Sequence, residues 1–236
     1  MNQVKKAMLL AAGRGTRMRE LTLDVPKPMI PVRGKPILQH IVEGLRDAGI
    51  TDVLIVVGYR AEVVRDFFKD GSAFGVRVSY VEQVVQDGTG RVVELGREFC
   101  GGDPFILSYG DILTDPANYV SLAAMGSEEA VITVKRATEL SAGGAVFVNE
   151  QMEMTDLKEK PKPEEAHTPW YNAGIYRFGP SIFTHTAALQ PSPRGEYELT
   201  DAIRALAQSG NVVKALELTG EWADVRDPEV LSELNG

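Results

Sequence analysis

The chain of 236 residues is 44% hydrophobic and 25% charged, enough apolar material for one large α/β domain or two small ones. Its 33 acidic residues against 25 basic ones give a net charge of −8. That balance disfavours a nucleic-acid partner or an anionic membrane surface and confines any phosphate site to a local basic cluster.

Cys100 is the only cysteine, so an internal disulfide and a cysteine-based zinc site are excluded, and His40, His167 and His185 are too scattered to share a metal. Lys5-Lys6 ahead of an apolar run superficially resembles a signal peptide. The run is short and ends at Gly13-Arg14, so it reads as a buried strand over 7–11. No stretch reaches membrane-spanning length, and the cytoplasm is the expected location.

Pro26, Pro28 and Pro31 are expected to keep the next stretch extended. Pro36 stands where a helix starts, Ile37, Leu38, Ile41, Val42 and Leu45 mark its apolar face, and Gly49 closes it. Strands are expected over 53–57, 76–81, 105–108 and 130–134. A helix with Val63, Val64, Phe67 and Phe68 on its apolar face and another over 92–99 fall between them. Further on, strands over 145–148, 154–157 and 171–178 alternate with turns, and helices are expected over 198–207 and 228–234. This rhythm argues for a Rossmann-like α/β fold, a mixed but mainly parallel sheet with helices on both faces. No linker or repeat interrupts it. One domain over 1–236 is expected, with a nucleotide-binding half over about 1–136 and a sugar-phosphate-binding half over about 137–236.

Directly after the first strand stands Leu10-Ala11-Ala12-Gly13-Arg14-Gly15-Thr16-Arg17-Met18. Glycines let backbone N–H groups approach phosphate oxygens as an anion nest, and Arg17 adds a multidentate cation. A dinucleotide loop would carry a third glycine where Met18 stands, and an acid where Val57-Gly58-Tyr59 closes the second strand. An NAD(P)-dependent oxidoreductase is therefore disfavoured. Arg14 reads as a solvated side chain. Lys27, between Pro26 and Pro28, is expected on a stiff, extended backbone that aims its ammonium at a fixed distance from the loop.

These two segments resemble the amino-terminal signature (L)AAGxGTRM…PKP of the sugar-nucleotidyltransferase family, and the resemblance runs the full length with the motifs in order. It implies that Leu10, Ala12, Gly13, Gly15, Thr16 and Arg17 contact the nucleoside triphosphate, with Lys27 near the reacting phosphates. Gln83 to Thr89 resembles the family's Q-x-x-x-x-G-T base loop. Gln83, with both an acceptor and a donor, can pair with a pyrimidine edge, and Gly88 lets the backbone approach the base. The continuation Gly90-Arg91 departs from the usual pattern. Gly110-Asp111 resembles the metal-binding GD, and Trp222-Ala223-Asp224 the late W-x-D, which makes Asp111 and Asp224 ligands of one Mg²⁺. Arg226 stands where the family commonly has glycine. Glu159-Lys160-Pro161 resembles EKP, with Lys160 on the sugar phosphate and Glu159 on sugar hydroxyls. Gly144 and Asn172, the latter in Asn172-Ala173-Gly174, add sugar contacts. The segment 196–201 also resembles the family but reads mainly as the start of a helix.

The activity implied is transfer of a nucleotidyl group from a nucleoside triphosphate to a sugar 1-phosphate, releasing pyrophosphate, with Arg17, Lys27, Lys160 and Mg²⁺ doing the electrostatic work. Gln83 favours UTP or dTTP. Alternatives are GTP with mannose 1-phosphate, CTP with an alcohol phosphate, or a non-catalytic nucleotide-binding homologue. The last is disfavoured because Lys27, Asp111, Lys160 and Asp224 are all present. The β-helix of longer relatives does not follow here, so no acetyltransferase activity is expected. Partners are the two substrates, without nucleic acid or membrane, and a homo-oligomer stays open.

Overall fold

A computed structural model describes residues 4–126 and 128–236 of the chain. In chain order the strands are β1 (Lys6–Leu10), β2 (Pro31–Val32), β3 (Lys35–Pro36), β4 (Asp52–Val57), β5 (Arg77–Glu82), β6 (Phe105–Tyr109), β7 (Ile112–Thr114), β8 (Ala130–Arg136), β9 (Gly144–Val148), β10 (Met154–Glu159), β11 (Trp170–Phe178), β12 (Val213–Glu217) and β13 (Trp222–Asp224). The α-helices are α1 (Ile37–Asp47), α2 (Ala61–Phe68), α3 (Thr89–Glu94), α4 (Arg97–Cys100), α5 (Ala117–Ala124), α6 (Ile182–Ala187), α7 (Leu199–Gln208) and α8 (Pro228–Asn235). The fold class is α/β, with mainly parallel pairing in the amino-terminal strands and mixed pairing later. Among the described residues no helix is long and apolar enough to cross a membrane.

The chain divides into two compact units that interleave in sequence. The first comprises Val4–Gln86, Phe105–Ala123 and Thr219–Gly236; the second comprises Asp87–Pro104 and Ala124–Leu218.

In the first unit β1 lies between β6 and β4, and β5 flanks β4, all parallel. The register matches Leu10 with Val56 and Tyr109, and Val57 with Glu82. The loops that follow β1, β4, β5 and β6 therefore leave from one edge. The strand order reverses at β1, which makes this edge a topological switch point, where open parallel sheets bind ligands. Helix α1 buries Ile37, Leu38, Ile41, Val42 and Leu45, worth roughly 1.5–3 kcal/mol per side chain. It ends as expected: Gly49 takes a left-handed φ of 81°, and its N–H donates to Arg46 O at 2.8 Å. The short ladder β7–β13 pairs Asp224 with Ile112, and Val225 N donates to Asp111 O at 3.0 Å.

In the second unit β10, β9, β11 and β8 pair antiparallel in that order, and β12 runs parallel to β8. Glu159 faces Gly144 and Tyr171 faces Ala145, so Gly144, Glu159 and Asn172 meet at one end of these strands. A bulge between Asn172 and Tyr176 is accommodated by Gly174 at φ 78°.

Three local expectations are corrected. The proline-rich stretch is not extended throughout: Lys27–Met29 forms a 3₁₀ turn with Ile30 N donating to Lys27 O at 3.1 Å, because proline's fixed φ also suits the start of a helical turn. On α2 the four-residue spacing buries Val64 and Phe68, while Val63 is half-buried and Phe67 turns outward to stack on Phe74 at 5.5 Å. The helix expected over 92–99 is two short helices, α3 and α4.

Candidate active site

The glycine-rich loop is anchored at its head. Ala11 N donates to Val56 O at 2.8 Å, and the carbonyl of Ala12 accepts from Tyr59 N at 3.1 Å and from Gln86 Nε2 at 3.0 Å. A side chain at Gly58 would put Cβ 2.8 Å from that same carbonyl, so the end of β4 must be glycine for the loop to settle there. Gly13 is exposed, and nothing lies within 4 Å of where its Cβ would be. Arg14, expected to be solvated, lies 5.2 Å over the Tyr59 ring.

Gly15 does two jobs. Its φ of 70° starts a 3₁₀ helix, Thr16–Thr22, and a Cβ there would sit 2.6 Å from Cβ of Lys27. The second glycine of the loop thus makes room for the lysine stem. Met18, in place of a third glycine, is fully buried and pins the 3₁₀ helix, while Thr16 and Arg17 stay exposed.

Gly110 continues the same logic. Its N–H donates to Leu10 O at 2.9 Å, and a Cβ would lie 2.7 Å from that oxygen and 3.2 Å from the Pro28 ring. The next residue, Asp111, forms a short ion pair with Lys27, and Lys27 Nζ lies 3.9 Å from Asp224. The glycine loop, PKP, GD and W-x-D segments therefore converge on one cation between two carboxylates. Burial raises the Asp224 carboxyl to about 6; the charge of Asp111 adds to this, while Lys27, Arg226 and Arg17 oppose it.

Gln83 continues from β5, its N–H donating to Val57 O at 2.8 Å. In the second unit Gly88 crosses the backbone of Tyr197 so closely that a Cβ would collide with it, and its φ is 122°. Tyr197 N donates to Asp87 O at 2.8 Å and Gly90 N to Tyr197 O at 2.7 Å. The departure Gly90-Arg91 serves this crossing. Gly90 leaves space for Glu198 and Leu189, and Arg91 stacks 4.3 Å over Tyr197 while pairing with Asp87 at 2.8 Å.

Glu159 ends β10, and burial raises its carboxyl; Glu198 adds to this and Arg194 opposes it. Arg194 lies 3.9 Å from Glu159 and 2.6 Å from the buried Glu198. Lys160 is exposed and holds a left-handed φ of 44°, secured by its N–H to Gly143 O at 2.6 Å. Asn172 is buried against Gly144, where a Cβ would come within 3.1 Å of it. Its amide donates to Tyr176 Oη at 2.8 Å and its carbonyl accepts from Gly174 N at 3.3 Å.

The structure thus brings Gly15, Lys27, Asp111 and Asp224 together, and separately Gly144, Glu159 and Asn172. Sequence reasoning did not single out Gln86, Arg194 or Glu198. No local pattern points to Arg194, which stands in a glycine turn, or to Glu198, whose burial shows only in the fold. Among the described residues no three His, Cys, Asp or Glu side chains converge as a metal cluster.

A parallel switch-point edge carrying a glycine loop and a lysine held between carboxylates defines a phosphate-handling α/β protein. The sequence model of the nucleotidyl transferase family matches residues 6–235, and the chain belongs to that family. A UTP–glucose-1-phosphate uridylyltransferase, AglF, of Haloferax volcanii is 36% identical over 95% of this chain and 92% of its own length. The bifunctional protein GlmU of Methanococcus maripaludis is also 36% identical, over 97% of this chain and 53% of its own; the chain spans about half the length of such relatives. A solved UDP-glucose pyrophosphorylase, complexed with UDP-glucose, superposes with a TM-score of 0.90 at 26% identity, over 98% of this chain and 97% of the other.

Proposed function

We propose that this chain transfers a uridylyl or thymidylyl group from UTP or dTTP to a hexose 1-phosphate, glucose 1-phosphate foremost, releasing pyrophosphate. The observation that carries this reading is Lys27, seated over Gly15 and held between Asp111 and Asp224. The names of relatives that match this chain along nearly their whole length supply the substrate class. Both substrates belong to the cytoplasm, where nucleoside triphosphates are made.

The acceptor's phosphate oxygen is already a nucleophile, so no covalent enzyme intermediate is required. The work is to align it with the α-phosphorus opposite the departing pyrophosphate and to offset the repulsion of two anions. Gly13, Gly15, Thr16 and Arg17 hold the triphosphate, Lys27 the reacting phosphates, and Lys160 the acceptor phosphate, while Glu159 accepts hydrogen bonds from sugar hydroxyls. The donor set fits a hard divalent cation: two carboxylates share one locus, and burial together with Asp111 penalises the charge on Asp224, a penalty that a cation relieves. Asp111 and Asp224 would hold Mg²⁺, which when bound neutralises phosphate charge as a Lewis acid.

The test is a matrix of UTP, dTTP, GTP and CTP against glucose, N-acetylglucosamine and mannose 1-phosphates and phosphocholine, with pyrophosphate release as readout, with Mg²⁺ or a chelator. UTP or dTTP should exceed GTP and CTP in kcat/KM by at least roughly tenfold, about 1.4 kcal/mol, the cost of one buried polar group left unpaired at Gln83. A preference for GTP or CTP overturns the base assignment. Failure of every pair to release pyrophosphate overturns the catalytic reading in favour of a nucleotide-binding homologue.

A further inference from the structure

We propose that Gln86 is a positioning residue that sets the phosphate loop from the base-reading loop, so that base and triphosphate are gripped in one fixed register. The proposal rests on the nucleotidyl-transfer reading above.

Gln83 is fixed by its backbone to β4, through Val57 O at 2.8 Å. The chain then leaves the sheet, with Val84 84% and Val85 65% exposed. It returns at Gln86, whose Nε2 donates to the carbonyl of Ala12 at 3.0 Å across 74 residues of sequence. That carbonyl also accepts from Tyr59 N at 3.1 Å, so two donors arrive on its lone pairs.

The consequence lies one atom further along. A trans peptide is planar, with its C=O and N–H pointing opposite ways. Fixing the Ala12 carbonyl towards Tyr59 and Gln86 turns the N–H of Gly13 away from them, at the exposed tip where no neighbour crowds the glycine. Gln86 therefore orients the first donor of the anion nest, and it does so from the same loop that carries Gln83. Holding this peptide in its bound orientation in advance removes an ordering cost from nucleotide binding.

Gln86→Met keeps the side chain's length and removes its donor. In pyrophosphate-release assays of the full chain with UTP and glucose 1-phosphate, KM for UTP should rise about 3- to 10-fold, the worth of one neutral hydrogen bond. KM for glucose 1-phosphate, kcat and the thermal midpoint should stay close to those of the parent. Gln86→Glu places an acceptor against the carbonyl at about pH 8, so its KM for UTP should rise further. The excess should shrink towards about pH 5, where the neutral acid begins to donate the missing hydrogen bond. An unchanged KM for UTP, equal rises in both KM values, or a lower kcat with a lower thermal midpoint would each overturn the proposal. Turnover by the parent chain separately tests the reading on which it rests. Calorimetric UTP affinities of the three chains give the same comparison if the parent releases no pyrophosphate.

Discussion

Among the described residues the ion-pair partners of Lys27, itself from PKP, come from signature segments, Asp111 from GD and Asp224 from W-x-D. Two glycines make room for them to meet, Gly15 of the phosphate loop against the Lys27 stem and Gly110 of the same GD against Leu10 and Pro28. Around Glu159 the arrangement differs. Burial aside, the largest influences on it are the charges of Glu198 and Arg194, which lie outside EKP, with Lys160 of EKP, exposed on a left-handed backbone, behind them. One cluster takes its ion pairs from its own motifs, whereas the other draws part of its electrostatics from a turn and a helix start 35 or more residues downstream. The first should tolerate almost no change; the second should respond in graded steps.

The sharpest way to break this contrast is at the Lys27 cluster. Asp111→Asn, Asp224→Asn and Lys27→Met should each lower kcat on the order of 100-fold or more while the fold survives, measured as Mg²⁺-dependent pyrophosphate release beside circular dichroism. Near-normal turnover in any of the three would remove that residue from the chemistry.

Next come the glycines. Gly15→Ala meets both a left-handed backbone, costing about 1–2 kcal/mol, and Cβ of Lys27 at 2.6 Å. Its kcat should fall about tenfold or more, with a lower thermal midpoint. Gly13→Ala meets no neighbour within 4 Å, so its thermal midpoint should match the parent's and any loss should appear only in nucleotide KM. Equal destabilisation in the two variants would mean that the seat for Lys27 is not what Gly15 provides.

The contrast also explains what could be read in the sequence. Continuous aliphatic runs such as 53–57 and the amphipathic face of α1 dictate their own structure, and the motif residues at strand ends follow once those strands are placed. The ladder β7–β13, which sets Asp224 beside Asp111, has only three residues per strand, too few to display a period. Gln86 acts through one hydrogen bond to a backbone carbonyl far away in sequence, and such a bond leaves no pattern in composition or spacing. Arg194 sits in a glycine turn whose local chemistry looks the same whether or not a distant glutamate needs a cation. Lys27–Met29 misled for a different reason, since proline restricts φ but leaves ψ free to choose an extended chain or a turn.

On the acceptor side, Lys160→Ala should raise KM for the sugar 1-phosphate about tenfold, the scale of one charge-assisted hydrogen bond, with KM for UTP little changed. Isothermal titration with each substrate separates the two. Loss of nucleotide binding with acceptor binding intact would reverse the division of labour between the clusters.

The smallest expected effect is a shift in pH dependence. In the proposed role Glu159 accepts hydrogen bonds from sugar hydroxyls, and its ionised form accepts them more strongly than the neutral acid, yet burial and the neighbouring Glu198 favour the neutral form, and Arg194 opposes them. Its pKa lies above that of an ordinary glutamate, so acceptor affinity should begin to fall at a higher pH than a solvated carboxylate would allow. Removing the cation in Arg194→Met takes away a favourable interaction with the charged form only, which raises the pKa further. The acid limb of log(1/KM) for the sugar 1-phosphate should therefore move to higher pH in Arg194→Met, while the limb for UTP stays in place. Arg194→Lys, which keeps a positive charge, should restore most of the shift. A simple loss of folding would depress both limbs together. An acid limb that moves to lower pH, or one that does not move while acceptor KM rises uniformly, would mean that Arg194 contacts the acceptor directly rather than tuning Glu159.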